Sequence, residues 1–152
     1  NEVIAAADLL KTDWGIEADI WSCPSFTQLA RDGVAAARWN LLHPTAEPRK
    51  PYVQQCLENT EGPVIASTDY VRAFADQIRP YVSRPYRVLG TDGFGRSDTR
   101  EKLRHFFEVD RYWVTTASLA ALAEEEKLDP AKVAEAIKKY GIDVDKPNPL
   151  TV

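Results

Sequence analysis

A chain of 152 residues with a formal net charge of −4 fits a single domain and lacks the basic footprint that non-specific nucleic-acid binding requires. An apolar content of 44% and four tryptophans exclude a disordered polymer, and folding at this size can bury roughly 68–70% of the unfolded surface. No apolar run approaches the roughly 20 residues that span a bilayer, and no basic region followed by an apolar one marks a secretory leader. Cys23 and Cys56, the two cysteines, match no CxxC pattern and suit reduced thiols in a cytoplasmic protein. The sequence leaves a bridge between them open.

Val3, Ala6, Ala7, Leu10 and Trp14 recur at helical spacing, and Gly15 is a natural stop. Ile16 to Ser22 alternates apolar and polar side chains and predicts a strand. Ser22-Cys-Pro-Ser25 supplies cap and first-turn chemistry for a helix through Phe26, Leu29 and Ala30, which Gly33 weakens and is expected to interrupt before Ala35–Trp39. His43 to Pro51 holds three prolines and predicts a surface connection, followed by a short helix over Tyr52–Leu57. Pro63 to Ser67 has the apolar run of a buried parallel strand. Thr68 or Asp69 is the expected cap of a helix through Val71, Phe74, Ala75 and Ile78, ending before Pro80. Tyr86 to Leu89 predicts the third strand. Three helices follow it, over Thr99–Val109, Asp110–Lys127 and Pro130–Tyr140, the last opened by Asp129-Pro130 and closed by Gly141.

Strands alternating with helices predict an α/β fold: a three-layer α/β/α arrangement, a mainly parallel sheet covered on both faces. The sequence opens inside a helix with no strand before it. The expectation is therefore one domain over residues 1–152, belonging to a longer polypeptide that supplies a first strand absent from this chain.

Catalytic chemistry is sparse. His43 and His105 are the only histidines, and a nucleophile such as Ser67 or Ser97 would have to meet His105 in space to matter. No Cys/His cluster suggests zinc, and Glu124-Glu-Glu126 reads as a solvated face near a helix end. The four tryptophans fall at packing positions rather than on a stacking platform for bases. Gly90-Thr-Asp-Gly-Phe-Gly-Arg-Ser-Asp-Thr-Arg100 carries the most information. Its three glycines sit between a predicted strand and a helix, where positive φ and close backbone approach are useful. Asp98 with Glu101 has capping-box spacing. The glycine order is neither the dinucleotide GxGxxG nor a Walker loop. Arg96 and Arg100 would favour a small anion or nucleotide and Asp92 and Asp98 would oppose one, so anion binding, contact with another chain and a purely local turn all remain open. Phe94 is the natural anchor of a contact, with Asp92, Arg96, Ser97 and Asp98 around it.

The segments Ala18-Asp-Ile-Trp-Ser22, Ser25-Phe-Thr-Gln-Leu-Ala-Arg-Asp-Gly33, Arg38-Trp-Asn-Leu-Leu-His-Pro44, Ala66-Ser-Thr-Asp-Tyr70 and Tyr86-Arg-Val-Leu-Gly-Thr-Asp-Gly-Phe-Gly-Arg-Ser-Asp98, continuing through Leu103 to Asp110, run along nearly the whole chain. Together they resemble the transketolase-type C-terminal domain of the homodimeric, thiamin-diphosphate-dependent first component of the pyruvate dehydrogenase complex. The resemblance implies a mixed, mostly parallel sheet flanked by helices, and a parent enzyme that decarboxylates pyruvate and passes the acetyl unit to a lipoyl group on the dihydrolipoyl acetyltransferase core. It implies partners in the enzyme's remaining domains, its homodimer mate and that core, with no nucleic acid and no membrane. Thiamin diphosphate and Mg2+ in such enzymes lie between the two preceding domains and use a Gly-Asp-Gly followed by Asn. Here Thr91 precedes Asp92-Gly93 and the only later asparagine is Asn148, so no catalytic, cofactor-binding or metal residue carries over, and the chain alone is expected to be inactive. The alternative is a free-standing α/β binding module holding an anion at Gly90–Arg100.

Overall fold

A computed structural model describes residues 1–152. The chain forms α1 (Glu2–Trp14), α2 (Phe26–Leu42), α3 (Tyr52–Leu57), β1 (Val64–Ser67), α4 (Arg72–Asp76), a 3-10 turn (Arg79–Tyr81), β2 (Tyr86–Leu89), α5 (Arg100–Phe106), α6 (Arg111–Glu124) and α7 (Pro130–Lys139). No helix is long and apolar enough to cross a membrane.

The α/β class and its layering are present, around two strands. β1 and β2 pair in parallel, Val64 opposite Tyr86 and Ser67 opposite Leu89. Alternation along each strand sorts the side chains onto two faces. Val64, Ala66, Tyr86 and Val88 join Val53, Ile78 and Val82 in a cluster completed by Phe26, Leu29 and Ala30 of α2. Arg87, on the opposite face, pairs with Glu124 of α6, the helix that lies against both strands. Behind α6, Leu10, Leu119 and Ala136 join α1, α6 and α7 in a second cluster, edged by Trp14, Ile16, Val133 and Tyr140.

Several expectations are corrected. Ile16–Ser22 is not a strand: it is irregular, makes no ladder bonds, and leaves Ile20 49% and Trp21 55% exposed. A strand is defined by a partner's hydrogen bonds, and no described residue supplies them. The sheet therefore has two strands rather than three within this chain, and they run parallel. Gly33 does not interrupt α2. It is buried within one continuous helix because a Cβ there would overlap the Tyr81 ring. The helix after β1 begins at Arg72 rather than at Thr68 or Asp69; the Thr68 hydroxyl instead accepts from the Tyr70 N–H at 3.2 Å, and a 3-10 turn replaces the expected last turn. At α5 the cap is Thr99, accepting from the Lys102 N–H, while Asp98 bonds the Thr99 N–H at 2.7 Å. α6 ends at Glu124, short of Lys127.

Ser25 and Asp129 cap their helices locally, as their spacing predicts, and Asp110 does the same for α6. Two other helix starts, those of α3 and α4, are capped from a distance, and α6 gains a second acceptor besides Asp110. Asp32 of α2 accepts from the Tyr52 N–H of α3 at 2.6 Å, Asp92 from the Arg72 N–H of α4 at 3.2 Å, and Glu2 from the Arg111 N–H of α6 at 3.1 Å. Each acid satisfies an orphan donor and complements the positive end of a helix, and each also joins two elements.

Candidate functional site: the glycine loop

Gly90 to Thr99 leaves the carboxyl end of β2 and lies beside the β1–α4 connection. Gly90 is buried, and a Cβ on it would stand 2.7 Å from the Tyr70 carbonyl oxygen and 2.8 Å from the Arg72 nitrogen. Thr91 fastens the loop here, its N–H donating to Tyr70 O at 2.9 Å and its hydroxyl to Asp69 O at 2.9 Å. Asp92 turns inward. One carboxylate oxygen accepts from both the backbone N–H and Nε of Arg72, the latter at 2.7 Å. Gly93 adopts φ +112°, a conformation L side chains avoid, and the carbonyl of Pro149 occupies the space a Cβ would need.

Past Gly93 the loop faces outward. Phe94 is 74% exposed. Arg96 lies over the Phe106 ring, its guanidinium carbon 4.0 Å from the centroid. Ser97 is exposed, and Asp98 stands 3.9 Å from the Lys102 ammonium. The structure thus divides the five predicted contact residues. Asp92 is taken up in holding α4, Arg96 and Asp98 are partly engaged, and Phe94 and Ser97 are free to meet something else.

The same loop borders a cleft of about 230 Å³ lined by Arg72, Asp92, Glu108, Lys146 and Asn148, with Pro149 at one wall. Its charges are already paired: Arg72 with Asp92, and Lys146 with Glu108 at 2.9 Å. An anion placed against Gly93 would face the Asp92 carboxylate and the Pro149 carbonyl oxygen. Sequence reasoning missed the 146–150 segment, since nothing local shows that Asn148-Pro-Leu150 returns to Gly93. The two prolines, 147 and 149, signalled only that it is not helical.

Nucleophilic chemistry finds no assembly. His105 Nδ1 lies 2.8 Å from Oδ2 of Asp110, whose other oxygen caps α6, and neither Ser67 nor Ser97 hydrogen-bonds to the imidazole. His43 stacks on Trp39 with centroids 4.2 Å apart, and its Nδ1 bonds the Trp39 carbonyl at 2.8 Å. Cys23 and Cys56 are free thiols, and burial pushes the Cys23 thiol up, away from thiolate reactivity. No group of three or more His, Cys, Asp and Glu side chains converges as a metal ion would need.

The family model of the transketolase-like TK C-terminal domain matches residues 1–110. Among curated relatives, the chain is 70% identical over its full length to the pyruvate dehydrogenase E1 component of Cupriavidus necator. It is 61% identical over 99% of its length to that of Pseudomonas aeruginosa and 53% identical over 98% to that of Escherichia coli. It spans 17% of each of these relatives. The three layers around a parallel sheet and the match over residues 1–110 agree: the chain belongs to the transketolase-like C-terminal domain family.

Proposed function

We propose that residues 1–152 form a single assembly domain of a thiamin-diphosphate-dependent pyruvate dehydrogenase E1 component. The parent enzyme decarboxylates pyruvate in the cytoplasm and delivers the acetyl unit to a lipoyl group of the acetyltransferase core. The chain's own part is to cover and position neighbouring domains of the same polypeptide and of its homodimer mate. It performs no chemistry by itself.

One observation carries this reading: the surface left uncovered. The accessible area is 9831 Å², whereas a compact monomer of 17.1 kDa exposes about 7,800 Å² by the usual size scaling. The excess, roughly 2,000 Å², is of the order that permanent subunit interfaces remove from water. It is apolar where it should be. Val34 and Leu41 are 58% and 78% exposed on one stripe of α2, and the unpaired Ile20 and Trp21 add to it. The residues present do not fit thiamin diphosphate or Mg2+. Both carboxylates of the cleft are already engaged, Asp92 by Arg72 and Glu108 by Lys146, so neither is free to hold a divalent cation.

The test is made on the full-length enzyme. Replacing Val34 and Leu41 together by Asp should abolish assembly in sedimentation velocity and with it pyruvate-dependent reduction of an electron acceptor. Full assembly of the doubly substituted enzyme would remove the α2 stripe from the interface. The purified 152-residue chain should give no turnover with pyruvate, thiamin diphosphate and Mg2+. Heat on titrating it with phosphate or a nucleotide would favour an anion-binding module instead.

A further inference from the structure

We infer that the segment after α7, Ile142–Val152, is a latch that sets the shape of the Gly90–Asp98 loop. Two contacts make it. Lys146, only 14% exposed at its side chain, donates to the Phe106 carbonyl at 2.8 Å and to Glu108 Oε1 at 2.9 Å. Its ammonium also lies 5.1 Å from the Phe106 centroid and 5.7 Å from that of Trp113. Two residues on, Asn148 closes a turn, its Oδ1 accepting from the Leu150 N–H at 3.0 Å and its carbonyl from the Thr151 N–H at 2.9 Å. That turn buries Pro149 and aims its carbonyl at Gly93.

The loop and the latch meet on shared parts. Phe106 receives Arg96 from the loop and Lys146 from the latch. Gly93 can hold φ +112° without a side chain, and the Pro149 carbonyl fills the space that a side chain would take. Everything that fixes the loop's first half comes from the β1–α4 connection, through Thr91 and Asp92. Past Gly93 the loop has no bond to that connection; it leans on α5 through Arg96 and Asp98, and the docked segment braces it at Gly93 and through the shared Phe106. With the latch in place Phe94 is displayed in one position; with it released, residues 93–98 lose their shared support and open.

The consequence for assembly rests on the function proposed above, but the latch does not. Trypsin cleavage after Arg96 measures loop opening directly, because local proteolysis tracks the open population when closing is fast. In the full-length enzyme, Gly93→Ala and deletion of residues 148–152 should each accelerate this cleavage at least tenfold. Lys146→Met, which keeps the aliphatic stem and removes the charge-assisted bonds, should do the same with unchanged circular dichroism. Lys138→Met, exposed on α7, should not. The double change, Gly93→Ala with the deletion, should be faster than the deletion alone only by the strain of alanine at φ +112°, and well short of the product of the two accelerations, since the added methyl then has no carbonyl to strike. Unchanged cleavage, or accelerations that multiply, would overturn the latch. Faster cleavage with sedimentation unchanged would leave the latch standing and exclude the loop from the assembly interface.

Discussion

Glu2 offers the sharpest test of how the helices are joined. Its carboxylate is 15% exposed and accepts four bonds: from the Arg111 N–H at 3.1 Å, Arg111 Nε at 3.0 Å, Arg111 Nη2 at 3.2 Å and Arg104 Nη1 at 3.3 Å. The side-chain bond to Arg111 is the main reason the carboxyl titrates below its usual value of 4.5; burial acts in the opposite direction. Glu2→Gln keeps the shape and loses the charge. Charge-assisted bonds of this kind contribute about 1.5–3 kcal/mol in sheltered settings, and partial solvent access here brings the expected loss to about 1–2 kcal/mol. The sign with pH follows from the direction of the shift. A carboxyl whose folded pKa is depressed stabilises the fold above its unfolded value, near 4.5, and the contribution fades as pH falls through the lower folded value. Urea unfolding of the 152-residue chain followed by circular dichroism at pH 7, 5 and 3 should show a wild-type advantage at pH 7 and 5 that shrinks towards nothing at pH 3. Other acids titrate in both proteins and cancel in the difference. An advantage independent of pH, or one below about 0.3 kcal/mol at pH 7, would refute the account, because partly buried charge-assisted bonds exceed that margin.

Three smaller predictions use the same assay. The Tyr140 hydroxyl accepts from Trp14 Nε1 at 2.8 Å and donates to Asp13 Oδ2 at 2.9 Å, and its pKa is pushed up to about 12, mainly by burial. Tyr140→Phe orphans the indole donor and should cost about 1–2 kcal/mol, with a shift in tryptophan emission. Glu126 holds φ +58° at the end of α6, where its N–H bonds Ala123 O and the Lys127 N–H bonds Leu122 O, the paired bonds of a left-handed helix terminus. Glu126→Gly should therefore stabilise the chain by about 1 kcal/mol, against the general trend for glycine. Gly33→Ala gains up to about 1 kcal/mol of helix propensity but drives a methyl into the Tyr81 ring, at a cost of about 1–3 kcal/mol. The net effect should be destabilising, and Tyr81→Leu in the same chain should restore most of it.

What the sequence disclosed, and what it withheld, follows the range of the interactions. Ser25 and Asp129 cap helices that begin at the next residue, so their spacing was enough. The caps of α3 and α4 come from Asp32 and Asp92, each 20 residues away, and the second acceptor at the start of α6 from Glu2, 109 residues away, and no window of sequence contains them. The start of α4 was accordingly misplaced, because Thr68 and Asp69 offered a local cap while the structure used Asp92. Gly33 looked like a helix breaker since its reason, the Tyr81 ring, lies 48 positions away in the chain. Ile16–Ser22 failed differently. Its alternation is real, but alternation gives only a segment's capacity to pair, and pairing is a property of two segments. Within the glycine loop, three glycines announced a constrained backbone. That Gly93 answers to Pro149 and Asp92 to Arg72 could be seen only in three dimensions.

The boundary of the family match makes a last point about what holds the domain together. The match ends at residue 110, one residue before α6, yet α6 is the element that closes the structure. It packs along α1 and against both strands, and Leu119, fully buried, sits with Leu10 of α1 and Ala136 of α7. A chain ending at residue 110 would uncover Ala6 and Leu10, expose the Arg87 face of the sheet and strip Glu2 of its Arg111 partner. It would also lack Lys146 and Pro149, the supports of the glycine loop. Two parallel strands covered on one face only are a poor basis for stability, since parallel sheets occur with both faces buried. Residues 1–110 alone should therefore retain helical circular dichroism but unfold without a cooperative urea transition, whereas residues 1–152 unfold in one step. A cooperative transition from the shorter chain, with a midpoint close to that of the longer one, would show that α6, α7 and the latch are an accessory to a core that stands without them.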